Sequence, residues 1–465
     1  MKRKVCDMSF GEKILRYQDD ILRDLAELIR IPSVRSAPEP GMPFGRESAR
    51  ALETVLSMAE RLGLTVKNVD NYAGHAEYGE GEETAAVLAH VDVVPAGDGW
   101  EGDPYTMVIR DGCCYGRGTA DDKGEAIVAL YCLKALKDEG VPAKRRLRVV
   151  FGAAEETGSE DLAYYYQKEP LPVMGFTPDA EYGICNREKG RVSVVITGKH
   201  DSAVIRSFSA GTVANAVPAR AEAEVVCTPE QAQALKNAAE REDGRFAVEL
   251  TADGARVSAS GVAAHAMQPQ EGVNAAAHLI RLLAGVFSGQ ELGGFFSFVD
   301  RGIGLEYDGA SLGVKQEDAE SGPLTLNLGL VSAREAGDSI TLDIRFPVTK
   351  DGEAIRAQIT EKVREAGLTL ERCDVTEPLF LPADSPFIHL LSDAYEAIMG
   401  VPAQLYATGG GTYARALKSR GVAFGPFFAD EPDRRLHNVG EHFEISRFMQ
   451  HAQICLEAMY RMITM

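Results

Sequence analysis

The 465-residue sequence is short of several things, and each shortage removes a class of function. Positive charge is outweighed: 49 Lys and Arg stand against 69 Asp and Glu, for a formal net charge of -20. Nucleic acids and anionic membrane surfaces both demand basic surface, so neither is expected as a partner. No run approaches the roughly eighteen uninterrupted apolar residues of a membrane helix. The basic start, "MKRKVCDMSF", has no apolar h-region and no small-residue cleavage site, so no secretory signal is expected. The eight cysteines (6, 113, 114, 132, 185, 227, 373 and 455) form no CxxC pair, and only Cys113 and Cys114 are close. Scattered, mostly apolar-flanked cysteines fit a reducing cytoplasm and not a disulfide framework. Internal repeats and low-complexity stretches are missing too.

What remains is the composition of an ordinary soluble protein, 45% hydrophobic and 25% charged, long enough for roughly two or three domains. The first part alternates helices and strands. "RESARALETVLSMAERLG" sets Leu52, Val55, Leu56, Ala59 and Leu62 on one helical face, with Gly63 as its C-terminal cap. "TAAVLAHVDVV" and "RLRVVFGAA" are nearly continuous apolar runs, as expected of strands covered on both faces. "KGEAIVALYCLKALKDEG" reads as an amphipathic helix closed by glycine. This alternation predicts an α/β domain with a helix-flanked, mostly parallel sheet. From about Arg191 the texture changes. "RAEAEVV", "LTLNLGL" and "ITLDIRF" alternate apolar and polar, the mark of strands with one open face. The expected organisation is a discontinuous α/β domain, residues 1–190 and 381–465, carrying an inserted α+β domain over residues 191–380.

Four apolar runs of the α/β part end in ligand-type side chains. They are "LAHVDVVP" (His90, Asp92), "GRGTADDKG" (Asp121, Asp122), "FGAAEETGS" (Glu155, Glu156) and "FTPDAEYG" (Asp179, Glu181). In open α/β sheets, ligands bind outside the carboxyl ends of the strands. Carboxylates gathered there repel one another unless a cation joins them, and imidazole with carboxylate suits zinc, cobalt or manganese. Each motif alone has a plainer reading. Asp121 and Asp122 precede a helix and suit its N-terminus, His90 fits a satisfied core histidine, and Asp179 fits a turn. Together, in this order, they point to a metal pair.

In the same order, "HVDVVPAGDGW", "YGRGTADDKG", "EETGSED", "TPDAEYG", "GVAAHAMQPQEGVNA", "DIRFP", "GGGTYAR" and "LHNVGEH" resemble the M20 family of dinuclear metallopeptidases, in particular its dipeptidase V, carnosinase-type branch. The resemblance covers nearly the whole chain. It implies two divalent ions, Zn2+ first with Mn2+ or Co2+ as alternatives. His90 and Asp179 would hold one and Glu156 and His437 the other, with Asp121 bridging both. Such ions lower the pKa of a shared water toward about 7. Asp92 would orient His90, Asp122 would follow a cis peptide, and Glu155 would be general base and acid. The inserted domain would be a lid. His265 would stabilise the oxyanion, Asn215 would lie near the substrate, and Arg345 would grip a terminal carboxylate bidentately. Gly410 and Gly411 of "ATGGGTYAR" would offer backbone donors.

The sequence departs from the family's pattern at Ala89, where glycine is common, and at Gly440, where Asn or Asp usually precedes Glu441. His442 lies five residues after His437, a poor spacing for one helical face, and is not read as a second ligand. "GASLG" formally matches a nucleophile elbow, but "VKQEDAESGP" after it is no helix, so Ser311 is read as a loop serine. The expected activity is hydrolysis of dipeptides with free termini, including β-alanyl or Xaa-His types, by a cytoplasmic monomer acting on small peptides. The alternatives are an M20 amidohydrolase of N-acyl amino acids, and a metal- or peptide-binding protein without catalysis.

Overall fold

Continuous apolar runs become strands with both faces covered. Every residue of Thr84–His90 is buried, as is all of Arg146–Gly152 beyond its first residue. The structure is a computed structural model and describes residues 9–242 and 244–465, so Cys6 and the basic start lie outside the described residues. The chain divides into two compact units. The first comprises Met1–Asn186, Leu379–Tyr406 and Gly411–Met465, and the second Arg187–Pro378 with Ala407–Gly410.

The first unit is built on a mixed sheet. At its centre Thr84–His90 pairs parallel with Arg146–Gly152 on one side and Met174–Thr177 on the other, and Gly421–Ala423 adds a further parallel pairing. Ala73–Tyr78 and Thr65–Val69 continue the Arg146–Gly152 side antiparallel. Helix Arg46–Arg61 buries Leu52, Val55, Leu56 and Ala59, and Gly63 follows it with φ +76°, a conformation that only glycine adopts freely. Helix Lys123–Asp138 differs from its amphipathic reading. Residues 123–133 are all buried, because the sheet covers one side and helices Gln18–Ile29 and Ile445–Thr464 cover the rest. A helix hidden all round needs no polar face. Among the described residues, seven cysteines are free thiols, and no helix is long and apolar enough to cross a membrane.

Two histidines of this unit are buried in neutral form. The Tyr165 hydroxyl accepts from Arg148 and lies 2.9 Å from His75 Nδ1, and burial, reinforced by Arg148, lowers the His75 pKa to about 3. Burial, with Arg434 nearby, lowers His451 to about 3 as well. The unfolded chain binds these protons near pH 6.5, whereas the fold refuses them until about pH 3. Stability is therefore complete above pH 6.5 and falls as pH drops toward 3. At pH 5 each histidine is expected to cost about 2 kcal/mol. In urea unfolding of metal-stripped protein, His75→Gln should narrow the stability gap between pH 7 and pH 5. An unchanged gap would show that His75 is not held neutral.

The second unit is an eight-stranded antiparallel sheet with helices packed on one face. Arg220–Val226 alternates in burial as predicted, and Gly190–Gly198 does so too. In Gly337–Phe346 the alternation fails: Asp343 and Arg345 are buried beside their apolar neighbours, and Asn327 of the adjacent strand is buried too. These polar groups stay inside because they are hydrogen-bonded. Asn327 donates to the carbonyls of Ala214 and Ala216, and Asp343 accepts from Arg345.

Candidate active site

Three parallel strands end at one edge of the first unit's sheet. Thr84–His90 ends on His90, Arg146–Gly152 leads into Glu155 and Glu156, and Met174–Thr177 leads to Asp179. The loop before helix Lys123–Asp138 contributes Asp121, and the 428–441 segment, which holds neither helix nor strand, contributes His437. His90 Nε2 lies 3.0 Å from Asp121 Oδ1, and His437 Nε2 lies 2.9 Å from Asp121 Oδ2. Asp121 thus turns one oxygen to each imidazole. His437 Nε2 is also 3.1 Å from Glu156 Oε1. Donor atoms of His90, Asp121 and Glu156 lie within 4.8 Å of one another, as do those of His90, Glu155 and Asp179.

Asp92 organises this edge. Its Oδ1 is 3.3 Å from His90 Nδ1, and its backbone carbonyl is 3.0 Å from the same nitrogen. The two carboxylate oxygens also accept the backbone N–H groups of Glu155 and Glu156, at 3.1 and 3.2 Å. One side chain therefore sets both the imidazole and the glutamate pair. Asp122 does not cap its helix by its side chain. Its Oδ2 accepts the His90 backbone N–H at 2.9 Å, and the Asp121–Asp122 peptide is cis. Asp161, which sequence reading left aside, accepts from the N–H groups of Ala153 and Ala154 and from the Tyr413 hydroxyl, bracing the turn into Glu155. "GSED" and "GGGTYAR" carry these two residues, but nothing local pairs residues so far apart.

The charges press on one another. Burial pushes Asp179 well above the usual carboxylate range, and the nearby Asp121 adds to it. Burial does the same to Glu155, reinforced by Asp179 and Glu156. Asp121 goes the other way: burial would raise it, but the hydrogen bonds from His437 and His90 hold it below its ordinary value. The Asp121 and Glu156 contacts in turn raise His437 to about 10. Two imidazole nitrogens among four crowded carboxylates are a donor set that fits divalent zinc, manganese or cobalt.

Other residues fall elsewhere. Glu181 is exposed, and its carbonyl accepts the Tyr406 hydroxyl. His442 Nδ1 lies 2.9 Å from the Gly440 carbonyl, and the ring stacks on Tyr115 at 4.9 Å. The Ser311 hydroxyl donates to Glu306.

The second unit holds its own cluster. His265 Nδ1 accepts the Met267 N–H at 3.1 Å, which leaves the ring proton on Nε2. Burial, then Arg345, lowers the His265 pKa, so the ring is a neutral donor. The Asn215 carbonyl accepts the Ala266 N–H, which places Asn215 alongside His265. Two of the residues expected to meet substrate already have partners within the fold. The bidentate fork of Arg345 is engaged by Asp343 through Nε and Nη2, and Nη1 donates to the Gly409 carbonyl at 2.9 Å. With five N–H groups on a guanidinium, two remain for any further carboxylate. The Gly410 N–H donates to Thr408 Oγ1 at 3.0 Å, so this donor serves its own turn. For Gly411, the nearest constraint is Arg415, whose Nε would lie 2.6 Å from an added Cβ.

Residues 86–461 match the model of Peptidase family M20/M25/M40. The chain belongs to that family. It is a peptide hydrolase. A Bacillus subtilis (strain 168) relative named "Putative dipeptidase YtjP" is 36% identical over 476 residues, covering 98% of this chain and 100% of the relative. A "Putative dipeptidase" of Staphylococcus epidermidis (strain ATCC 12228 / FDA PCI 1200) is 32% identical over 463 residues, covering 97% and 98%. The crystal structure of human carnosine dipeptidase 1 superposes with a TM-score of 0.58 at 16% identity, covering 98% of this chain and 99% of that one. That likeness establishes the M20 fold, a helix-flanked catalytic sheet with an additional α+β unit.

Proposed function

We propose that this M20 peptidase is a dinuclear metal-dependent dipeptidase acting on dipeptides with free termini. The observation that carries the reading is Asp121, with one oxygen 3.0 Å from His90 and the other 2.9 Å from His437. A carboxylate facing two imidazoles in this way suits a bridge between two cations. His90 and Asp179 would hold one ion, Glu156 and His437 the other, and Asp121 both. Bound there, two divalent ions supply Lewis acidity to the scissile carbonyl and to the attacking water.

The chain's own groups do the rest. Glu155, fixed at its backbone by Asp92, takes the proton of the attacking water and delivers it to the leaving amine. His265, neutral and protonated on Nε2, suits donation to the oxygen on which charge develops. Asn215, in the turn next to the Ala216–His265 bridge, belongs to the same substrate-facing set. Arg345, held flat by Asp343, reads the substrate's free carboxylate with its two remaining N–H groups. The names of the relatives favour dipeptides over N-acyl amino acids.

The test is a panel of dipeptides, tripeptides and N-acyl amino acids assayed after loading with Zn2+, Mn2+ or Co2+, with metal content measured. Two ions per chain and preferential cleavage of dipeptides are expected. Cleavage of the N-acyl amino acids with dipeptides untouched would replace this reading with the amidohydrolase one. For Arg345, kcat/KM should be much higher for a dipeptide than for its C-terminal amide, and Arg345→Met should remove most of that difference. Equal wild-type rates on both would take the carboxylate-reading role away from Arg345.

A further inference from the structure

His437 sits where little secondary structure supports it. Its side chain is 53% exposed, its backbone φ is +60°, and Arg435 two residues earlier has φ +58°. Left-handed backbone at non-glycine residues costs free energy and persists only when the surroundings hold it. Four residues after His437 the surroundings provide a buried carboxylate, Glu441, which is 0% exposed. Both its oxygens lie 3.0 Å from the Gly118 N–H nitrogen, and Oε1 also accepts the Ala120 N–H at 2.9 Å. Ala120 immediately precedes Asp121.

Arg117, 1% exposed, completes the clamp. Its Nη1 pairs with Glu441, and its Nη2 lies 3.5 Å from the carbonyl of Asn438, the residue after His437. The Glu441 carbonyl accepts the Gly116 N–H as well. One buried ion pair therefore ties the strand-free segment bearing His437 to the backbone that carries Asp121. Among the described residues, these contacts join the two segments on either side of the 2.9 Å His437–Asp121 contact.

We propose that Glu441, braced by Arg117, is a positioning residue that sets the His437–Asp121 spacing and hence the affinity of the cation held there. The inference rests on the dinuclear reading above. Groups that orient metal ligands without touching the metal typically change affinity 10–100-fold when removed. Glu441→Gln keeps the shape and one acceptor oxygen but loses the charge that Arg117 and two backbone N–H groups converge on.

The experiment is a double-mutant cycle on the full chain, with Co2+ as the probe, followed by visible absorption and by metal content, and with thermal melting to verify folding. Glu441→Gln is expected to weaken one of two Co2+ sites about 10–100-fold and to alter the visible band of that site. In the His437→Ala background, adding Glu441→Gln should change affinity by less than about two-fold, because the residue it positions is gone. Equal losses in both backgrounds, or none in Glu441→Gln, would overturn the inference while leaving the dinuclear reading intact. Wild-type protein that binds no Co2+ would overturn both. If Glu441→Gln does not fold, Arg117→Lys carries the test: it keeps the charge but loses the arm toward Asn438. A several-fold loss, absent in the His437→Ala background, is expected, and unchanged affinity would count against the clamp.

Discussion

Replacing Glu155 with glutamine is expected to lower kcat by roughly 10²–10⁴ while leaving metal content unchanged, the usual scale for loss of a general base. The glutamates of this doublet look equivalent in sequence, yet their environments differ. Glu156 faces His437 at 3.1 Å and shares a cluster with His90 and Asp121. Glu155 clusters with His90 and Asp179, and burial raises its pKa well above the usual range, as suits a group that takes and returns a proton. Both backbones hang from Asp92, so a side-chain amide at 155 should leave the loop in place. Glu156→Gln should lose metal as well as activity. Metal analysis beside steady-state kinetics separates the two, and near-normal kcat in Glu155→Gln would end the assignment.

His265→Ala is expected to reduce kcat by about 10²–10³ with metal content intact, the range seen when one oxyanion donor is removed. The Met267 N–H holds Nδ1, and burial with the Arg345 charge keeps the ring neutral, so Nε2–H is a prepared donor across the neutral pH range. Little of the loss should appear in KM, because the developing charge exists only in the transition state. A variant depleted of metal would show His265 to be a ligand instead, and a variant with unchanged kcat would remove it from the chemistry.

The sequence by itself determined the parallel centre of the catalytic sheet, because apolar runs such as Thr84–Ala89 and Leu147–Phe151 leave no face for solvent. It also determined where ligand-type residues would collect. Side chains that follow parallel strands must emerge at one edge, as His90, Glu155, Glu156 and Asp179 do. Alternation in Arg220–Val226 likewise announced a strand with one open face. Periodicity is a local property, and burial follows it.

Tertiary structure decided the partners. Asp122 stands where a helix cap belongs but accepts the His90 N–H, thirty-two residues away. Arg345, expected to grip a substrate carboxylate, is buried and donates through Nη1 to the Gly409 carbonyl, sixty-four residues away. Helix Lys123–Asp138 loses its polar side to two neighbouring helices. Glu441 finds Gly118 and Ala120 across more than three hundred residues. A buried carboxylate or guanidinium must meet a partner wherever the fold brings one within about 3 Å, and no pattern of neighbours along the chain encodes that meeting.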